Sequence, residues 1–259
     1  MIRLLIYVVF TMGFAAGFPS SSLAVLLYDV DFNADAVGAP PALGFGPIPR
    51  STPTKQNVFP RTSSATVVSS FGALSNQPLE IQASFEPLPS TTSRLTGRTF
   101  EFSLDDGDIP KFNFYRAQAD VIVDTITQNR VALFIDAPSI HSIAFRPGGN
   151  IETAARGGTS VIGTWTSGQL FTTSIDFDLF NGKWSAGLNG ETLFSAATSD
   201  TMVRQFRFGT TTNGQSLSYF DNIRVEGSVI PEPSTFLLFG SGLAGVVAWR
   251  WRKAKGSKS

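Results

Sequence analysis

Two Asn-Gly pairs, Asn181-Gly182 and Asn189-Gly190, stand eight residues apart behind a run in which Phe171, Thr173, Ile175, Phe177 and Leu179 occupy alternate positions. Alternation with a period of two places those side chains on one face of an extended strand, and Asn-Gly accepts the positive backbone angles of a tight hairpin turn. The stretch predicts a three-stranded meander with 183–188 as its middle strand. The same alternation, rich in Phe, Val, Ile and Thr, recurs at 98–104, 119–126, 130–136 and 142–146, with Gly, Pro, Ser and Asn between the runs. Helical periodicity is missing from 25–230. About ten or more strands in this span predict an all-β fold, a single antiparallel sandwich.

Two stretches qualify that pattern. In "SLSYFDNIRVEG" the residues Leu217, Tyr219, Ile223 and Val225 are expected to share one face of a strand that Asp221 interrupts. In "GAPPALGFGPIPRSTPTKQNVFP", residues 38–60, Pro and Gly are so dense that a long surface connection is expected after a first strand at 26–32.

The 259 residues are 42% hydrophobic, enough for one sizeable core. The zero net charge hides an uneven distribution: residues 25–230 hold 14 basic and 19 acidic groups, so the body is net negative and argues against a nucleic-acid partner. Without cysteine there is neither a disulfide nor a thiolate metal site. His141 is the single histidine and reads as a strand side chain in "IHSIAF".

The N-terminus opens with Arg3, runs apolar through residue 18 and breaks at Pro19 and three serines, the layout of a signal peptide over 1–24. Cleavage is expected after Ala24, with Ala16 and Gly17 as alternatives, so the chain meets the secretion machinery and signal peptidase. Near the other end, "GSGLAG" fits the glycine pattern of a dinucleotide site. Only 14 residues follow Gly245, however, and none is acidic, so the strand and ribose-binding carboxylate that such a site needs are missing. The segment reads instead as a membrane helix at about 234–251. Its 16 residues from Ser234 to Trp249 span about 24 Å, and Arg250, Arg252, Lys253 and Lys255 form a cytoplasmic stop. Gly240, Gly242 and Gly245 give it a thin face for a close intramembrane neighbour.

Read as a whole, "VIPEPSTFLLFGSGLAGVVAWRWRKAK" resembles the PEP-CTERM sorting signal of Gram-negative bacteria, with Pro231-Glu232-Pro233 first, the apolar helix next and the basic cluster last. The resemblance assigns 230–256 to sorting. It implies an exosortase as partner, a membrane-embedded cysteine protease-transpeptidase that cuts at or near the Pro-Glu-Pro motif. The inner membrane then holds the chain transiently, before delivery to the cell surface or extracellular matrix. Within the body, 25–229, the stretches "LYDVDFNADAVGAPP", "FNGKWSAGLNGETLFSAA" and "YFDNIRVEG" resemble parts of laminin-G or concanavalin-like jelly rolls. The architecture this implies is a jelly-roll-like sandwich flanked by a signal helix and a single transmembrane helix.

Glycoside hydrolases of that fold carry an arrangement such as Glu-x-Asp-x-x-Glu, because two carboxylates must flank the scissile bond. The arrangement is absent here; Asp176 and Asp178 are the nearest pair, and no Gly-x-Ser-x-Gly elbow occurs. The body is therefore expected not to be an enzyme and to need no cofactor. Structural calcium is one reading of Asp105, Asp106 and Asp108 around Gly107, a solvated acidic turn being the other; the turn lacks the EF-hand spacing, since Arg116 stands at position twelve. Asp31 and Asp221 form a second candidate calcium pair if the first and last strands are neighbours. Trp165 in "GTWTSGQ" is the candidate exposed platform for a sugar ring. Together these features predict an exported, non-enzymatic surface or matrix protein that binds exopolysaccharide or packs in an extracellular assembly. A sorted polysaccharide hydrolase is the alternative.

Overall fold

The computed structural model describes residues 24–229 apart from 45–46, 60–62, 75, 84–95, 105–106, 108, 110, 129, 156–157 and 213, so the expected signal and transmembrane helices lie outside the described residues. The described residues contain no helix. They form fifteen strands: β1 (Ala24–Val30), β2 (Lys55–Phe59), β3 (Ser63–Val67), β4 (Leu79–Ala83), β5 (Thr96–Ser103), β6 (Phe114–Ile126), β7 (Arg130–Asp136), β8 (Ile140–Phe145), β9 (Asn150–Ala155), β10 (Gly158–Thr164), β11 (Leu170–Asp178), β12 (Lys183–Leu188), β13 (Glu191–Ala197), β14 (Gln205–Thr212) and β15 (Ser216–Ser228). The first sheet has the order β13-β12-β11-β6-β15-β4-β3, with β1 also on β15, and the second the order β10-β9-β8-β7-β14-β5-β2. All strand pairs named in the two sheets are antiparallel.

Aromatic side chains from both sheets fill the space between them. Phe208 on β14 stacks on Phe100 and Phe102 of β5, with centroids 5.3 and 5.7 Å away, and reaches Phe220 of the first sheet at 4.9 Å. Each such ring contributes about 1.5–3 kcal/mol on leaving water, which makes the inter-sheet layer the main source of stability.

The meander forms as expected, and β12 covers 183–188. Its two Asn-Gly turns differ. Asn189 and Gly190 both have positive φ, 53° and 85°, and make a two-residue hairpin between the paired Leu188 and Glu191. The earlier pair lies in a four-residue loop, 179–182, between the paired Asp178 and Lys183, where Gly182 has φ 59°. There the Asp178 carboxylate accepts from the Asn181 backbone N–H at 2.9 Å and from its Nδ2 at 2.6 Å, which selects the longer loop.

Three expectations need correction. The 38–60 connection contains an element, β2, at the edge of the second sheet: Pro and Gly crowd its first part, while "KQNVF" has none and pairs with β5. The first strand runs 24–30 rather than 26–32, because Phe32 turns the chain with φ 56°. Leu217 and Tyr219 do not share a face with Ile223 and Val225. The register of β15 slips between Asp221 and Arg224, Asn222 takes φ 49°, and the extra residue reverses the parity of the strand. Tyr219 consequently packs in an outer cluster with Leu74 and Ile122, with Leu217 against it, while Ile223 and Val225 enter the main core.

Candidate functional site

On β7, Val131, Leu133 and Ile135 point into the main core, which leaves Arg130, Ala132, Phe134 and Asp136 on the outer face of the second sheet. Neighbouring strands extend that face. Phe134 lies between Arg207 of β14 and Ser142 of β8, and Ala132 between Gly209 and Ala144. Beyond Gly209 come Thr99 of β5 and then Asn57 of β2. Ala132, Phe134 and Ala144 make a small buried cluster separate from the core. Gly209 belongs to its floor by necessity: with φ 142°, a Cβ there would lie 2.2 Å from the Arg98 carbonyl oxygen.

Two guanidinium groups lie on this floor, and that of Arg146 is close enough to Arg130 to act on its charge. The Arg130 carbon lies 4.8 Å and the Arg207 carbon 5.7 Å from the centroid of the Phe134 ring. Arg207 Nη2 donates to Asp136 at 2.8 Å, and Arg146 Nε to Glu152 at 2.8 Å. Arg130 has no ion pair with any described residue. Burial, followed by the charges of Arg146 and Arg207, holds its pKa below the ordinary guanidinium value. Three buried polar atoms of the same face also lack a hydrogen-bond partner: Thr99 Oγ1 and Ser142 Oγ, on residues 2% and 1% exposed, and Arg207 Nε. A half-buried guanidinium without an ion partner among the described residues is suited to holding an anionic oxygen.

On the outer face of the first sheet, Arg116 and Arg224 both have carboxylate partners. Arg116 forks onto Asp176 through Nε and Nη2 at 2.6 and 2.7 Å, and this hydrogen bonding raises the arginine's pKa. With Asp178 held by Asn181, both carboxylates weighed as a catalytic pair are engaged in structural bonds. Asp120 accepts from Thr172 Oγ1 at 2.6 Å and Asn222 Nδ2 at 2.8 Å.

The strands β1 and β15 do pair, which brings Asp31 toward Asp221. Burial raises the Asp221 pKa to about 6 against the lowering effect of the Asn222 N–H, with Asp120 and then Asp31 adding to the rise. Asp31 itself accepts from the backbone N–H and Nδ2 of Asn33 at 3.1 and 2.8 Å. Among the described residues no group of three or more His, Asp or Glu side chains is placed to hold a metal ion. Asp105, Asp106 and Asp108 lie outside the described residues, as do Pro231, Glu232, Pro233, Arg250, Arg252, Lys253 and Lys255.

The remaining candidates have definite places. Trp165 is half-buried against the core and its Nε1 donates to the Arg146 carbonyl at 2.8 Å, so it is an edge residue of the sandwich rather than a free platform. Ala24 opens β1 opposite Ser228. His141 is a buried strand residue as expected, and its Nε2 lies 2.7 Å from Asp200, which also accepts from Ser139 N and Thr198 Oγ1. It anchors a loop to β8. A cleft of about 620 Å³ lies among Leu104, Ile109, Lys111, Tyr115, Leu179 and Met202.

Sequence reading missed the arginine face. Its one local signal is "RVALFID", which reads as alternating but whose Ala132 and Phe134 make the second face apolar too; the structure buries 131–135 throughout.

The PEP-CTERM protein-sorting motif matches residues 229–253. No curated protein matches the chain. Its fold is similar to several solved structures. A sialidase is 12% identical, with 66% of this chain and 16% of that one covered and a TM-score of 0.46. Domain 4 of AbnA, a GH43 extracellular arabinanase from Geobacillus stearothermophilus solved with arabinotriose, is 13% identical, with 80% and 95% covered and a TM-score of 0.48. The PL7 alginate lyase AlyA1 from Zobellia galactanivorans is 12% identical, with 57% and 76% covered and a TM-score of 0.42. The chain thus carries a PEP-CTERM protein-sorting motif at residues 229–253, directly behind an all-β antiparallel sandwich.

Proposed function

We propose that this protein is exported, held transiently in the inner membrane by its C-terminal segment, and processed there by an exosortase. Its sandwich then acts at the cell surface or in the extracellular matrix as a polysaccharide-binding module without catalytic activity. The observation that carries the reading is the position of the sorting motif, which begins at residue 229, immediately after the last residue of β15. Binding rather than hydrolysis is supported by the carboxylates: Asp176 is forked by Arg116 and Asp178 holds its own turn. The body's route to a ligand is the outer face of the second sheet.

Intact mass and peptide mapping of protein from the envelope and medium of its host test the sorting step. Loss of the chain beyond the Pro231-Glu232-Pro233 region is expected, whereas a C-terminus intact through Ser259 in the inner membrane would make the segment a plain anchor. A panel of polysaccharides tests the body. Retention without new reducing ends is expected, and release of reducing ends would turn the reading to a hydrolase.

A further inference from the structure

The cations of the second sheet's outer face are out of balance with their surroundings. Arg207 and Arg146 already have carboxylate partners in Asp136 and Glu152. The other charged groups on the face, Lys55 and Glu101, lie side by side on β2 and β5, and Glu101 also bonds Asn57. Arg130 remains, half-buried, facing two like charges and resting on the Phe134 ring, with no carboxylate partner among the described residues. A guanidinium in this state gains more from an incoming anion than a solvated one does, because its desolvation has already occurred on folding.

The shape of the face points to an extended ligand. Arg207 and Arg130 come from β14 and β7, and Arg146 directly follows β8, neighbouring strands that place them across roughly 10 Å. The floor between them, with no side chain at Gly209 and only methyl groups at Ala132 and Ala144, is buried, as are Thr99 and Ser142, so what this face offers a ligand is its partly exposed guanidiniums. Planar guanidiniums suit carboxylates, the groups they already bind at Asp136 and Glu152, and three of them in a row suit carboxylates repeated along a chain.

We propose that this face, centred on Arg130 and flanked by Arg146 and Arg207, binds the carboxylates of an acidic, uronate-bearing polysaccharide. The proposal deepens the polysaccharide-binding reading and rests on it.

The test uses the full-length protein in a neutral detergent, run in native gels containing polygalacturonate, neutral dextran, dextran sulfate or duplex DNA. Polygalacturonate is expected to retard it, and added salt to relieve the retardation. Arg130→Gln should weaken binding about tenfold or more, the loss of one charge-assisted contact. Arg130→Lys should weaken it less, and Arg224→Gln, on the other sheet, should leave it unchanged. Thermal melting of Arg130→Gln at or above the parent temperature shows an intact fold; should it melt lower, Arg130→Lys and Arg146→Gln carry the test. Dextran binding as strongly as polygalacturonate would overturn the acidic preference and leave the polysaccharide reading standing. Equal retardation by dextran sulfate and DNA would make the face an unspecific cation patch and overturn the carboxylate assignment. Retardation by none of the glycans would overturn both.

Discussion

On the outer face of the first sheet, Arg116 and Arg224 each end on a carboxylate, Asp176 and Glu226, and Asp120 takes bonds from Thr172 and Asn222. On the outer face of the second, Arg130 leans on an aromatic ring beside two other arginines, and two hydroxyls of the same face, Thr99 and Ser142, are buried without a partner. Both faces flank the same aromatic core and both present arginines. The difference lies in compensation. The arginines of the first face are answered by carboxylates, whereas on the second Arg130 is left without one, a cost that a bound anion offsets.

The largest expected effect comes from the layer the faces share. Phe208→Ala opens a cavity between Phe100, Phe102 and Phe220 and should cost about 3–5 kcal/mol by urea denaturation, weakening both faces together. Gly209→Ala attacks the second face alone. Its new Cβ would sit against the Arg98 carbonyl and the Thr99 backbone, so a loss of about 3 kcal/mol is expected, with glycan binding falling as the floor shifts.

At the β15 bulge the two explanations of the acidic residues can be separated by pH. Asp221 holds its proton more firmly in the fold, at about 6 against an ordinary 3.8, so its contribution is complete below about pH 3.8 and is lost as the pH rises through about 6. The fall should be on the order of 3 kcal/mol, and Asp221→Asn should flatten it in melts across that window. If calcium raises the melting temperature of the parent and leaves Asp221→Asn unmoved, the Asp31–Asp221 pair is a cation site; identical melts with calcium and chelator would mark it as a proton-holding pair.

The smallest effects state the comparison most directly. Arg116→Ala breaks a forked pair whose arginine is half exposed, so about 0.5–1 kcal/mol should be lost. Arg130→Gln removes a cation that has no ion partner among the described residues, and the melting temperature should hold or rise. Equal losses for the two variants would erase the distinction between the faces.

Much of the fold was legible because it is written locally. The run 171–179 and the pair Asn189-Gly190 specify a strand and a two-residue turn within a short span of chain, and β12 lies where they put it. β2 was hidden because "KQNVF" is a short edge strand whose identity depends on β5, some forty residues later. The face of Leu217 and Tyr219 was misread because one left-handed residue, Asn222, reverses every side chain after it. For the candidate site the balance tips further: Arg130 and Arg207 are ordinary strand arginines, and Arg146 an ordinary residue after β8, until three strands are laid side by side.

By itself the sequence determined the sorting motif, the all-β class, the meander and the lack of cysteine chemistry, since each rests on residues near one another or on composition. Tertiary structure alone decided which arginines are answered and which is not. Charge compensation is a property of distance in space, and strand register, set by packing along the whole length of each sheet, is what brings residues 130, 146 and 207 onto one face.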